Sequence, residues 1–300
     1  MHTMAKPAAI EGVDRDTALD EAARRFIAAR LGDVRKFEER LVGAVDADDV
    51  HDMRVASRRL RAALELFDRK RQLLDAEGAV KELGDALGEV RELHVELAWL
   101  RGAVGAAAEK EKPGVAALLA DREAKLPRRI ERLRAALSSW TADGWSTVEA
   151  GAAGLKLDGR LGGHRVRRRL AARLKDVKRR MAAVAKKAGD ARVAHKLRIG
   201  AKKLRYAAEL AEPAFPADMD ALIDRLQPLQ ELLGELHDTD VHIPVVEKFL
   251  VRAGAIEQPG ALALLRTEMT RREELGTRLG HSIEQFRDER VLEQLRDVLC

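Results

Sequence analysis

Two stretches of this chain are versions of one another, and each reads as a helix with a row of cations along one side. Val50–Leu66 is VHDMRVASRRLRAALEL and Ala194–Leu210 is AHKLRIGAKKLRYAAEL. At about 100° per residue, His51, Arg54, Arg58, Arg61 and Glu65 fall within a sector roughly 80° wide, while Met53, Ala56, Leu60, Ala63, Leu64 and Phe67 fall opposite. His195, Arg198, Lys202, Arg205 and Glu209 take the same five positions in the second copy, with Leu197, Leu204 and Ala207 behind them. The shared register is His-x-x-Arg-x-x-x-basic-basic-x-Arg-x-x-x-Glu. A face of this kind must be covered by other elements, so the repeat commits the chain to a packed assembly with two related basic faces.

The repetition is wider than these two helices. Arg24–Lys36, RRFIAARLGDVRK, matches Arg167–Arg179, RRRLAARLKDVKR, and Leu87–Val95, LGEVRELHV, matches Leu233–Val241, LGELHDTDV. Three matched segments at nearly constant offset predict a duplicated helical unit. Aromatics make up only 3% of the chain and no segment alternates as a strand does, which excludes a sheet-based fold.

In chain order, the spacing predicts a first helix from about Asp14, its N-cap, to Ala44, buried through Ala23, Ile27, Leu31, Val34 and Leu41. Asp46, Asp48 and Asp49 form an acidic turn suited to the start of the first His helix. A third helix is predicted over Ala76–Ala103, a break at Glu111–Gly114 around Pro113, and a fourth helix over Val115–Leu137 that Pro127 bends or restarts. Ser138–Gly163, rich in glycine, reads as the connector, with a short helix near Ser146–Ala153. The second half then predicts a helix over Arg165–Ala188, the His helix to about Glu212, a PAFP turn, and a long helix over Ala217–Ala253. Pro228 and Pro244 predict kinks or interruptions in that long helix. Helices over Ala261–Leu279 and Ile283–Leu299 follow. The expected fold is all-α: a duplicated pair of antiparallel four-helix bundles with an approximate internal twofold, the first repeat at 14–137, the connector at 138–163 and the second repeat at 164–300.

Charge is distributed unevenly. The net charge is only +5, yet Arg165–Lys187 holds eleven Lys or Arg against the single acid Asp176, and His195–Arg205 holds five against none. Such concentrations suit a polyanion. The single cysteine, Cys300, excludes an internal disulfide, no apolar run approaches the roughly 20 residues of a membrane span, and MHTMAKPAAIEG lacks the apolar stretch of a secretory signal. A cytoplasmic setting is the expectation.

The paired segments HDMRVASRRLRAALELF and HKLRIGAKKLRYAAEL, each followed by an LGE-containing segment, resemble the CHAD family, the conserved histidine α-helical domain. The resemblance covers residues 14–300. It implies two four-helix bundles with a basic central groove that binds inorganic polyphosphate, and targeting to polyphosphate granules. The family's His-helix positions map onto His51, Arg54, Arg58, Arg59 and Arg61, and onto His195, Arg198, Lys202, Lys203 and Arg205. From the matched helices before them, Arg24, Arg35, Arg167, Arg168, Lys175 and Lys178 join the expected polyphosphate-binding set. The family's downstream LG-x-x-RD-x-D pattern is departed from in both copies, which read Arg91-Glu92-Leu93-His94 and His237-Asp238-Thr239-Asp240.

These residue types suit that ligand. Polyphosphate is a row of anionic oxygens without bases; arginine binds two oxygens with one planar fork, lysine adds a mobile point charge, and histidine adds a donor whose protonation rises beside phosphate. Arg54, Arg58, Arg198 and Lys202 are expected on the exposed side. Nucleic acid, or another polyanion, is the competing partner, but ten aromatics in all, with only Tyr206 inside a basic motif, offer little for base stacking. Asp238 and Asp240 could hold a divalent metal in a phosphate-chain hydrolase, but are expected instead to pair with arginines. None of His51, His94, His195 or His237 has a Glu three residues before it, and no HExxH, Walker A loop or nucleophile elbow is present. No catalytic residue, metal ligand or cofactor is expected.

Overall fold

The computed structural model describes residues 10–43, 45–68, 71–187 and 189–288. Ten α-helices account for most of them: α1 Leu19–Gly43, α2 Ala47–Phe67, α3 Leu74–Ala106, α4 Lys112–Glu123, α5 Leu126–Ser139, α6 Trp145–Ala153, α7 His164–Lys186, α8 Ala191–Ala211, α9 Pro216–Leu250 and α10 Gln258–Asp288. A π-helical segment, Trp140–Gly144, joins α5 to α6, and a single 3-10 turn, Glu212–Ala214, precedes α9. The fold is all-α. The end of the expected last helix, 289–299, and Cys300 lie outside the described residues.

The two His helices are α2 and α8, and both start where their acidic residues direct. Asp46 caps α2 by accepting from the Asp48 N–H at 2.8 Å, and Asp190 caps α8 by accepting from the Arg192 N–H at 2.9 Å. Behind α2, Val50, Met53, Ala56, Leu60, Ala63, Leu64 and Phe67 are buried; behind α8, Leu197, Ala201, Leu204 and Ala208 are. Each packs between its chain neighbours, α2 between α1 and α3 and α8 between α7 and α9, and the two also touch each other.

Two hydrophobic clusters hold the molecule. The larger runs from α1 and α2 through the first part of α3, α5 and α6 into α7, α8, the first part of α9 and the end of α10. The smaller joins Leu100 of α3, Val115 and Leu118 of α4, Val246 and Phe249 of α9, Ala253, and Ala261 and Leu264 of α10. Both draw on residues from either side of the connector. At the smaller one, α4 and α10 start against each other: a Cβ on Gly114 would lie 1.9 Å from the Glu257 carbonyl oxygen, and a Cβ on Gly260 1.9 Å from that of Glu111. Only glycine allows this backbone approach.

Several expectations are corrected. Asp14 does not cap α1; its carboxylate accepts from the Asp16 and Thr17 N–H groups in a turn, and α1 begins at Leu19. The reason is tertiary: the connector clamps this segment through Leu19 N–H to Gly159 O and Leu161 N–H to Thr17 O, both 2.9 Å. Pro113 and Gly114 do not break the chain but sit in the first turn of α4, where a proline's missing N–H costs nothing. Pro127, expected to bend or restart the fourth helix, does restart it, as α5. Pro228 and Pro244 do not interrupt α9, which runs through both; Leu226, Leu229, Leu232, Leu233 and Leu236 are all buried around the first, offsetting the roughly 3 kcal/mol penalty of an internal proline. Nor is α10 broken near Gly280, because Leu279, Ile283 and Phe286 are buried at one continuous helical spacing.

Candidate functional site

Where α2 meets α8, four long side chains tie the helices together. Arg59 Nε lies 3.1 Å from Glu209 Oε2, and Lys203 Nζ lies 2.9 Å from Glu65 Oε2. Arg59 and Lys203 occupy equivalent positions in the two copies, as do Glu65 and Glu209, so each helix lends a cation to the other's carboxylate. Glu209 also accepts from Arg205 Nε at 3.0 Å, and Arg205 reaches Gln230 Oε1 of α9 at 3.3 Å. Arg61 stands 3.4 Å from Glu65. Arg59, Arg61, Lys203 and Arg205 are thereby each paired within the fold, the four sharing the two carboxylates Glu65 and Glu209.

One helical turn away the balance reverses. Arg54 and Arg58 of α2 and Arg198 and Lys202 of α8 lie within electrostatic reach of one another, joined by His195 and by His237 of α9. The His195 and His237 ring centroids are 4.9 Å apart. Arg54 packs over Gly88 of α3 and has one distant carboxylate, Glu92, at 3.8 Å. Among the described residues, Arg58, Arg198 and Lys202 have no carboxylate within 4.0 Å. Arg198 Nε and Tyr206 Oη are buried without a hydrogen-bond partner among those residues; each such orphan costs about 1–3 kcal/mol.

Contrary to the expectation of an exposed row, these cations are half-buried: 22% of the Arg54 side chain remains accessible, and Arg198 and Lys202 are also intermediate. The flanking α3 and α9 wall them in. Burial and the like charges of Arg58, Arg198 and Arg54 push Lys202 down to about 5. Burial first, then Arg58, lowers Arg54 to about 10 despite Glu92. His237 is pushed to about 4 by burial and then by Arg198, His195 and Lys202, and His195 is lowered by burial and then Arg198. Asp238, which also faces the cluster, is raised by burial against the pull of His242, Arg198 and Lys202. Among the described residues the arrangement gathers basic groups that hold one another's protons off, so that a nearby anion would favour their charged forms.

The remaining expected residues are distributed differently. His51 is half-buried in the first turns of α2. Arg24 is held by Asp20 at 2.9 Å and by the Leu155 carbonyl at 3.2 Å. The Arg35 guanidinium lies 5.1 Å from the Trp145 ring, and that of Arg167 5.0 Å from the Phe215 ring. Arg168, Lys175 and Lys178 are exposed on α7. Asp240 accepts from Arg272 at 2.6 Å, and Arg272 in turn donates to the Gly189 carbonyl. Among the described residues no three His, Cys, Asp or Glu are grouped as metal ligands would be, and no helix is long and apolar enough to cross a membrane.

Sequence reasoning missed His237 as a member of the cluster, although it stands in the LGELHDTDV copy on the same α9 turn as Asp238. It also missed a fourth repeated segment, Glu111–Leu119, EKPGVAALL, and Glu257–Leu265, EQPGALALL, whose glycines make the α4–α10 contact.

Comparison with known proteins bears on this fold directly. The chain is similar to the CHAD domain from the plant Ricinus communis, with a TM-score of 0.66 and 23% identity over 100% of this chain and 97% of that one. It is also similar to PptA from Streptomyces chartreusis, with a TM-score of 0.63 and 14% identity over 90% of this chain and 99% of that one. No curated protein matches it in sequence. The family model for the CHAD domain matches residues 25–247, and the chain therefore belongs to the CHAD family.

Proposed function

We propose that this protein binds inorganic polyphosphate, noncatalytically, at the α2–α8 crossing, and does so in the cytoplasm on polyphosphate granules. The observation that carries this reading is the set of Arg58, Arg198 and Lys202, drawn from two helices, half-buried together and left without carboxylate partners among the described residues. A fold tolerates such crowding when a ligand supplies the missing negative charge. A polyphosphate chain does so with many oxygens at regular spacing, and its lack of bases matches a site whose aromatic, Tyr206, is buried rather than displayed. Membership of the CHAD family supports the same ligand. The cross-paired Arg59–Glu209 and Lys203–Glu65 then act as the scaffold that fixes the two helices, not as ligand contacts.

The test is titration of long-chain polyphosphate onto the full chain and onto a variant with Arg54, Arg58, Arg198 and Lys202 all changed to Ala. The variant is expected to bind at least about a hundredfold more weakly, since hydrogen bonds to charged groups contribute about 1.5–3 kcal/mol each. Wild-type affinity is expected to fall steeply with salt through ion release. Equal affinity in the variant overturns the reading. Tighter binding of DNA than of polyphosphate at matched charge and salt replaces it with a nucleic-acid adaptor, and orthophosphate release abolished by Asp238→Ala replaces it with a hydrolase.

A further inference from the structure

We propose that the cavity between the C-terminal end of α2 and the first turns of α7 is a second binding site, for a small amphipathic carboxylate with a medium-length acyl chain. Its volume is about 260 Å³. Its floor is Leu19, Leu66, Phe67, Leu157 and Val166, none more than 9% exposed, and its rim is His164, Arg165, Arg168 and Arg169. Among the described residues no carboxylate lines it. Leu66 and Phe67 lie eight and nine residues beyond Arg58 along α2, about 12–14 Å at 1.5 Å per residue, and none of the cluster's residues lines this site.

The two halves of the lining together select the ligand class. Five apolar side chains give nothing to polyphosphate, which has no apolar surface to bury, and three guanidinium groups and an imidazole give nothing to a neutral hydrocarbon. Two of the cations are already committed: Arg165 lies 3.4 Å from Asp158, and Arg169 donates to the Asp68 carbonyl at 2.8 Å. His164 and Arg168 are exposed and have no hydrogen bond or ion pair among the described residues. The rim thus keeps a guanidinium fork for a carboxylate head, directly above an apolar floor that excludes water from a tail. The space equals about nine waters at roughly 30 Å³ each, which suits a molecule the size of octanoate.

Octanoate is the probe, titrated calorimetrically onto the full chain. One molecule is expected to bind at millimolar concentration or below. Acetate, which has the head without the tail, and octanol, which has the tail without the head, are each expected to bind at least about tenfold more weakly. Arg168→Glu, an exposed change that leaves the core intact, is expected to weaken octanoate at least about tenfold, whereas Arg58→Ala, at the other site, leaves it unchanged. Absence of binding at millimolar octanoate, equal affinity in Arg168→Glu, or displacement of octanoate by polyphosphate overturns the proposal. The first two results leave the reading of the α2–α8 crossing as it stands, whereas displacement by polyphosphate would carry that ligand's path onto α7 as well.

Discussion

The α2–α8 crossing and the packed end of α3, α4, α9 and α10 treat charge in opposite ways. At the packed end, Glu96 of α3 meets Arg122 of α4, with Arg122 Nη2 2.8 Å from Glu96 Oε2, and His242 of α9 meets Glu268 of α10 at 3.0 Å. These two pairs occupy matching positions at the same offset of 146, yet the polarity is exchanged: acid on α3 and base on α4, base on α9 and acid on α10. His242 also stacks on Trp99, ring centroids 3.7 Å apart, and the Trp99 indole donates to Glu268 at 3.1 Å. Among the described residues, the buried carboxylates Glu96 and Glu268 each have a basic partner there. At the crossing, by contrast, the basic groups of Arg58, Arg198 and Lys202 crowd together with no carboxylate within 4.0 Å among the described residues. Charge is thus paired where α3, α4, α9 and α10 pack together and left crowded where α2 crosses α8.

The largest effect that separates the two regions is on stability. Glu96→Ala leaves the largely buried Arg122 guanidinium, whose side chain is only 14% exposed, without its carboxylate. We expect a loss of about 3–5 kcal/mol by denaturant unfolding, with polyphosphate affinity of the folded protein unchanged. A loss of affinity at intact stability would erase the distinction between the two ends.

Lys202 should behave in the opposite way. Lys202→Met removes a group that is half-buried among Arg54, Arg58 and Arg198, so the variant is expected to be more stable than the wild type by about 1–4 kcal/mol while binding polyphosphate more weakly. Unfolding and titration on the same sample check both halves. The linkage sign agrees: a lysine whose folded pKa is depressed from 10.5 to about 5 binds fewer protons when folded, so its contribution destabilises the fold at neutral pH and vanishes only above 10.5.

Binding should accordingly draw protons in. An anion beside Lys202 raises its pKa from about 5 toward the ordinary value, so near neutral pH the complex is expected to take up about one proton from this residue, with a smaller share from His237 and His195. Affinity then rises as pH falls through the bound-state pKa and levels off below the free-state value, changing by up to about 1.4 kcal/mol per pH unit for each proton. Calorimetry in two buffers of different ionisation enthalpy measures the uptake directly. Zero uptake at neutral pH would show Lys202 already charged in the free protein.

How much of this contrast was legible in the sequence follows from what each interaction depends on. Helix positions depend on local spacing and capping, and Asp46 and the apolar spacing of α2 and α8 were readable, whereas the Asp190 cap of α8 came only from the structure. The two basic rows were readable for the same reason. Which of their cations the fold would spend was not, because Glu209 reaches Arg59 across a helix–helix contact 150 residues apart in sequence. Pro228 misled because burial on both sides of α9 outweighed a local penalty. The EKPG and EQPG copies were present in the sequence and marked a contact between helix starts, but a proline followed by glycine reads locally as a break.

The smallest expected effect concerns the exposed cations of α7. Lys175 and Lys178 are exposed on α7. Their charge acts on a ligand through water and is screened beyond about 10 Å at 0.1 M salt, whereas Arg58, Arg198 and Lys202 act from a half-buried setting in which screening is weak. Changing both lysines to Ala is therefore expected to weaken polyphosphate binding by no more than about threefold at low salt, and the difference should vanish near physiological ionic strength. Titrations of this pair across a salt series, beside Arg58→Ala, test the contrast. If the lysine pair costs as much as Arg58→Ala at physiological salt, the ligand's path runs over the outer face of α7, and the crossing is one station on it rather than its seat.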